Sequence, residues 1–335
     1  MVFEGESAFD FAGRSVAGLG DFNGDQRDDI IVGASRAPDV LAAGRAYVVF
    51  GASNWPASVS LSSLDGTNGF RVNGASFLGY AGSAVAGADV NGDGLSDAVV
   101  GAPQAGSGGT VYVLFGNTNR VGVIAVGALN GTNGFAIQSQ VAGSNLGASV
   151  AGRARLNGDG IEDLVCGAPA WGGGTGEVVV VFGRSSFPAV LQAEQLDGTN
   201  GFVLRGLQAG AEAGWSVGAG RDANGDRFDD IAIGERFHDH EGVTDTGAAY
   251  LVSPVGISEF VLLRPEFITI RRLESGARLL WQGQSGATYA VQTNGSLTAG
   301  GWGEAASTVA ASETTVLDVP DGSATGVFFR LRAAR

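Results

Sequence analysis

The sequence predicts an all-β chain, a four-bladed β-propeller over residues 1–254 followed by a small β-sandwich over residues 255–335. Three observations carry this. A unit of about 67 residues recurs four times; each unit holds short runs rich in Val, Ile, Tyr and Phe between Gly, Asn and Asp; and the repeat and the excess negative charge end together near residue 254.

The repeat is clearest at an acidic segment. Asp21-Phe22-Asn23-Gly24-Asp25 returns as Asp89-Val90-Asn91-Gly92-Asp93, as Arg155-Leu156-Asn157-Gly158-Asp159 and as Asp222-Ala223-Asn224-Gly225-Asp226, at steps of 68, 66 and 67 residues. An apolar stretch precedes each segment, as in Ser15-Val16-Ala17-Gly18, and another follows it, as in Asp29-Ile30-Ile31-Val32-Gly33-Ala34. A third run, such as Ala46-Tyr47-Val48-Val49-Phe50, and a fourth announced by Leu64-Asp65-Gly66-Thr67-Asn68-Gly69-Phe70 complete the unit. Runs of four to seven β-branched and aromatic residues are strand chemistry and too short for helices. Four such strands per repeat is the layout of a propeller blade. Residues 3–9 resemble the last strand of a unit, whereas the fourth unit stops after its third strand, Ala249-Tyr250-Leu251-Val252. Two expectations follow: the N-terminal strand completes the fourth blade and closes a ring without free edges, or the chain is part of a longer propeller.

Composition agrees with a turn-rich β protein. There are 57 Gly against 8 Pro with no Gly-X-Y period, which excludes collagen. Formal charge is −14, and every one of the 20 basic residues is Arg. Residues 1–254 hold 27 acids and 13 Arg, so the whole deficit lies there, and residues 255–335 are neutral with 7 of each. That balance argues against nucleic acid or an anionic membrane as partner and for a cation. Cys166 is the only cysteine, so no intrachain disulfide forms; its apolar neighbours predict a buried, inert thiol. No apolar stretch is long enough to span a bilayer, and Met1-Val2-Phe3-Glu4-Gly5-Glu6 does not read as a signal peptide. Such a signal is expected upstream or lost.

The acidic loops follow the pattern Asp-x-Asn-x-Asp-x-x-x-Asp. Side chains at positions 1, 3, 5 and 9 with the carbonyl of position 7 form an oxygen-only donor set, which suits Ca2+. The first loop offers Asp21, Asn23, Asp25 and Asp29 with the Arg27 carbonyl; the second offers Asp89, Asn91, Asp93 and Asp97 with that of Leu95. The fourth offers Asp222, Asn224, Asp226 and Asp230 with that of Phe228. An EF-hand would need a Glu at position 12 and flanking helices; position 12 here is Val32, Val100, Cys166 and Ile233. In the third loop Arg155 stands at position 1, and a guanidinium cannot ligate a cation. Asn157, Asp159 and Asp163 are therefore expected to form a metal-free or weakened site, with Arg155 pairing to Asp159 and Asp163. Hairpin-turn chemistry explains one Asn-Gly-Asp turn but not three copies with acids at positions 1, 5 and 9.

These residues resemble the FG-GAP repeats of integrin alpha-chain heads and their bacterial relatives over roughly residues 1–254. The signature is the acidic loop followed by Gly-Ala-Pro, as at Gly101-Ala102-Pro103 and Gly167-Ala168-Pro169, with looser versions at Gly33-Ala34-Ser35 and Gly234-Glu235. The resemblance implies a β-propeller with calcium in its blade turns, used in adhesion and ligand binding, usually outside the cell. Integrin heads have seven blades where this chain shows four, and nothing resembles an inserted ligand-binding domain.

After residue 254 five strand-like runs, 267–272, 277–282, 288–293, 314–319 and 327–332, fit a sandwich similar to immunoglobulin or fibronectin type III modules, with Trp281 and Trp302 in or near its core. His238 and His240, the only histidines, fall in a polar stretch that reads as a solvated loop. No Gly-x-Ser-x-Gly elbow is present and most clustered Asp residues belong to the acidic loops, so no catalytic residue is assigned and the chain is expected not to be an enzyme. The expected function is a calcium-binding, secreted or cell-surface module that binds a protein or carbohydrate ligand. The alternative is a calcium-stabilised accessory part of a larger secreted protein, including an enzyme.

Overall fold

The computed structural model describes residues 1–37, 43–119, 121–223, 225, 228–240 and 242–253, together with six strands beyond residue 265. Contacts divide the chain into two compact units, Met1–Leu196 with Asn200–Pro254, and Asp197–Thr199 with Val255–Arg335.

The first unit is built from β-sheets that follow the repeat. The first repeat gives β1 (Val2–Glu4), β2 (Ala12–Gly20), β3 (Asp29–Ala34), β4 (Arg45–Val49), β5 (Ser58–Ser60) and β6 (Gly69–Asn73). The second gives β7 (Ala84–Ala88), β8 (Asp97–Ala102), β9 (Thr110–Leu114), β10 (Val123–Ala125) and β11 (Gly134–Gln138). The third gives β12 (Ser149–Ala154), β13 (Asp163–Ala168), β14 (Glu177–Val181), β15 (Val190–Gln192) and β16 (Gly201–Arg205), and the fourth β17 (Ala213–Arg221), β18 (Asp230–Glu235) and β19 (Ala248–Val252).

Each repeat is an antiparallel meander: β2-β3-β4-β6, β7-β8-β9-β11, β12-β13-β14-β16 and the three-stranded β17-β18-β19. The four runs of the repeat are thus the four strands of a sheet. Period-2 alternation assigns their faces. In β8, Ala98, Val100 and Ala102 join the cluster shared with Leu19, Phe22, Val48 and Phe70 of the first repeat. Val99, between them, joins Leu164, Cys166, Val179 and Val181 of the third. Sheets with two apolar faces stack, and the first strands β2, β7, β12 and β17 contact one another in succession.

The motif glycines permit this stacking. A Cβ on Gly33 would collide with the carbonyl of Gly82, one on Gly101 with that of Gly147, and one on Gly167 with that of Gly214. Gly147 in turn donates its amide to the Gly167 carbonyl at 2.9 Å. Backbone meets backbone where the repeats join, and only a residue without a side chain fits there.

The short strands β5, β10 and β15, absent from the sequence expectation, are parallel clips. β10 pairs with β6 and β15 with β11, each joining the start of a repeat's last connection to the last strand of the repeat before it. β1 uses the same device: it pairs in parallel with β5, Val2 opposite Ser58 and Glu4 opposite Ser60. Closure of the fourth sheet by the N-terminal strand is therefore not what forms. β1 stands before the first sheet as β6 stands before the second, and among the described residues β19 has no fourth strand beside it. The two ends of the stack differ accordingly from its middle: β7 is buried throughout, whereas Val16 in β2 is 65% exposed and Tyr250 and Leu251 in β19 are 41% and 59% exposed.

In the second unit, β20 (Glu266–Leu273), β21 (Gly276–Gln282), β22 (Thr288–Asn294), β23 (Gly303–Val309), β24 (Thr314–Pro320) and β25 (Phe328–Ala333) form two antiparallel sheets, β20-β21-β24 and β23-β22-β25. Trp302 lies outside the described residues.

Candidate metal-binding loops

The acidic loops connect the first and second strands of each sheet, so the antiparallel meander sets all four at the same end of their sheets. The first two loops share one hydrogen-bond frame. Asp21 Oδ1 accepts the amides of Gly24 and Asp25 at 2.7 and 3.1 Å, and its Oδ2 accepts that of Gln26 at 2.8 Å. Asp89 does the same for Gly92, Asp93 and Gly94 at 2.8, 3.2 and 3.0 Å. Asn23 and Asn91 each accept the amide two residues on, both at 2.9 Å, and Asp25 and Asp93 accept those of Arg27 and Leu95. Glycine at position 4 takes φ of +77° and +71° in Gly24 and Gly92, which lets the chain curl back.

The ninth residue ties the loop to the sheet. Asp97 is fully buried, with Oδ2 on the Val90 amide and Oδ1 on the Gly116 amide, both at 2.9 Å. Asp29 makes the matching bonds to Phe22 and Gly51 at 2.9 and 2.8 Å. Burial raises the pKa of Asp97 to about 8 and that of Asp29 to about 6; the nearby position-1 and position-5 carboxylates push the same way, and the amide bonds oppose them. A buried carboxylate facing two more acids is an environment that a cation relieves. Among the described residues no three carboxylate, imidazole or thiolate groups are drawn together as a ready metal cluster. The carboxylates are turned onto the amides of their own loops. The donor chemistry, three carboxylates with an amide oxygen and a carbonyl and no nitrogen or sulfur, fits a hard cation.

The fourth loop keeps part of this frame, with the Gly225 amide on Asp222 Oδ1 at 2.6 Å and the Ala223 amide on Asp230 Oδ2 at 2.8 Å. Phe228 is described; Asn224 and Asp226 lie outside the described residues. The third loop keeps the rest of the frame without its first carboxylate. Asp163 holds the Leu156 and Gly183 amides at 2.6 and 2.8 Å, and Asn157 and Asp159 make their local bonds. Arg155 forms no ion pair with Asp159 or Asp163, contrary to expectation; its backbone amide instead meets Asp229 Oδ2 of the fourth loop at 2.8 Å. The backbone brings Arg155 to the neighbouring repeat while its exposed side chain takes no part.

The opposite end of the sheets carries a different chemistry, which sequence reasoning missed. Phe11, Tyr80, Asn145 and Glu212 each precede a first strand and share φ values of 56°, 54°, 60° and 61°, costly for side chains of this size. The Arg36 guanidinium lies 5.2 Å from the Phe11 ring and 5.8 Å from that of Tyr80, spanning two repeats. Arg236 lies 3.3 Å from the Trp215 ring centroid and pairs with Glu212 at 2.6 Å. Phe9, Phe77, Leu207 and Trp215 are exposed at this end. Aromatic residues shortly before the first two of these strands, Phe9 and Phe11 before β2 and Phe77 and Tyr80 before β7, were the available signal; β12 and β17 have none at that spacing. His238 is also better held than a solvated loop: its Nδ1 lies 2.8 Å from the buried Glu235, and Tyr250 donates to the same carboxylate oxygen at 3.0 Å.

Sheets repeated in register, each with an acidic loop between its first two strands and the first three with a glycine contact to the next sheet, define a class of repeat protein. A family profile described as FG-GAP repeat matches residues 12–49, 81–114, 147–181 and 213–252, one match per sheet. The chain belongs to the FG-GAP repeat family. It is similar to integrin alpha-4 of Xenopus laevis, 28% identical over 79% of this chain and 23% of the relative. Integrin alpha pat-2 of Caenorhabditis elegans is 30% identical over 67% of this chain and 18% of the relative. Phosphatidylinositol-glycan-specific phospholipase D of Homo sapiens is 33% identical over 53% and 21%. The chain thus spans about a fifth of the length of these relatives.

Proposed function

We propose that the four sheets are blades of a calcium-binding β-propeller that works as a binding or adhesion module, secreted or at the cell surface. The observation that carries the reading is the identical frame of the first two loops, in which a buried ninth carboxylate stands beside two further acids. Ca2+ would be held by Asp21, Asn23, Asp25, Asp29 and the Arg27 carbonyl, by Asp89, Asn91, Asp93, Asp97 and the Leu95 carbonyl, and by Asp222, Asn224, Asp226, Asp230 and the Phe228 carbonyl. It would neutralise the acids and fix each turn. The third loop, with Arg155, holds none in this reading.

The ligand, a protein or a carbohydrate, is placed on the aromatic and arginine-rich end, where exposed rings and left-handed backbone coincide. Neither nucleic acid nor membrane insertion belongs to this reading: the propeller region is acidic, and no described helix is long and apolar enough to cross a membrane. The two three-stranded sheets after residue 265 are taken as an immunoglobulin- or fibronectin-like sandwich. The chain has no catalytic role in this reading. A second reading, an accessory domain of a larger secreted enzyme, is favoured by the similarity to a protein named as a phospholipase.

Calorimetric titration with calcium chloride tests the proposal. It expects three equivalents of calcium and a melting temperature that falls in chelator. No heat and an unchanged melt would refute it.

A further inference from the structure

Successive acidic loops are joined at their ligand-bearing ends. The amide of residue 8 of each loop donates to the carbonyl of residue 1 of the loop before it: Ser96 to Asp21 at 2.8 Å, Glu162 to Asp89 at 3.3 Å and Asp229 to Arg155 at 3.4 Å. At two of the three junctions the bond is returned. Glu162 Oε2 accepts the Asp89 amide at 2.8 Å, and Asp229 Oδ2 accepts the Arg155 amide at 2.8 Å. Ser96 supplies no such carboxylate, and among the described residues its side chain makes no bond to Asp21.

We infer that Glu162, which belongs to the third loop, is a positioning residue for calcium in the second. The inference rests on the calcium reading above and adds a residue from outside the loop it serves. Asp89 is the first ligand of its loop, and both of its side-chain oxygens already organise that loop's amides. With its own amide and carbonyl clamped by Glu162, the residue is fixed on both backbone sides before an ion arrives. A preorganised donor loses less freedom on binding and so binds more tightly. The acid at position 8 also adds a negative charge beside the site. The third loop, which lacks its own first carboxylate, thereby keeps a use: it completes its neighbour. The first loop, clamped by backbone alone, should be the weaker of the two sites with otherwise equal ligands.

The test isolates the second loop in the full chain with Asp25→Ala and Asp222→Ala, then titrates calcium chloride calorimetrically. Adding Glu162→Ala is expected to weaken calcium binding about five- to tenfold, the loss of roughly one hydrogen bond. Glu162→Gln, whose amide oxygen still accepts from Asp89, is expected to stay within about twofold of the parent. Should Glu162→Ala not fold, the converse variant decides. Ser96→Asp, in a background with Asp93→Ala and Asp222→Ala, should tighten calcium at the first loop by a similar factor. An unchanged dissociation constant for Glu162→Ala, with only its melting temperature in chelator lowered, would make Glu162 a staple between sheets and overturn the inference. If the parent background itself takes up no calcium, the calcium reading fails first.

Discussion

The glycine that opens each Gly-Ala-Pro-like motif occupies one place in four sheets but meets four neighbours, and this gives a sharp prediction. Gly101→Ala puts a methyl group against the Gly147 carbonyl, which cannot swing away because Gly147 is itself bonded to Gly167. Relief requires the second and third sheets to part by roughly 1 Å, a gap that forfeits a quarter to a half of the dispersion energy of the atoms it separates. Against this, alanine gains about 0.5–1 kcal/mol over glycine within a strand. Overpacking of this kind costs about 2–3 kcal/mol net. For a unit of this size that is a fall in Tm of roughly 5–10 °C. Gly33→Ala and Gly167→Ala should behave alike, since each faces a carbonyl of the next repeat. Gly234 is the internal control: among the described residues no carbonyl of a following repeat faces it, and its close neighbour is the Ser216 hydroxyl, which can rotate. Gly234→Ala should cost under about 1 kcal/mol. Thermal melts by circular dichroism at fixed calcium, supported by urea midpoints, read both. Equal losses for Gly101→Ala and Gly234→Ala would refute the idea that the motif glycine exists for the contact between sheets.

Two further outcomes test the loops and the core. Arg155→Asp restores the first carboxylate to a loop whose other donors are in place, so calorimetry should show one additional equivalent of calcium; an unchanged stoichiometry would mean that more than Arg155 disables the site. The Cys166 thiol is fully buried and pushed up to about 12 by desolvation, so a thiol reagent should label it only as denaturant unfolds the sheets. Rapid labelling of the native protein would place it elsewhere.

The strands were legible because they repeat: four runs between turn residues in three units, and the first three of them in the fourth, leave little freedom in sheet order. The facing was not: in β8 Ala98 and Val100 join one core and Val99 another, a division that an all-apolar run does not show. The acidic residues of the loops recur at the same spacing, which marks them in the sequence as candidate donors. Their third example shows the limit. Arg155 was read by its charge, which suggested ion pairs with Asp159 and Asp163. The position is decided instead by its backbone, which the fourth loop holds whatever the side chain. A clamp made by the amide and carbonyl of one residue leaves no mark on that residue's identity. Only the partner, Glu162 or Asp229, carries a trace, and an acid at position 8 beside an invariable-looking Asp reads as one more acid.

Closure was not legible for a related reason. A strand sequence specifies a face and a neighbour, but whether a stack of sheets meets itself depends on the angle between successive sheets. That angle is set where they touch, at contacts such as Gly33 with Gly82 and Gly101 with Gly147. Three such contacts, Gly33 with Gly82, Gly101 with Gly147 and Gly167 with Gly214, repeat with the same glycine pair, so the contact made at one junction recurs along the array. The N-terminal strand then goes where this step places it. β1 lies against β5 as β6 lies against β10, continuing the pattern on the first sheet instead of ending it on the fourth. The exposed Val16 on one side and Tyr250 and Leu251 on the other are the residues that a further step of the same kind would bury. The junction, not the strand, is thus the unit that decides the architecture, which is why substitutions at its glycines should be felt where the same change at Gly234 is not.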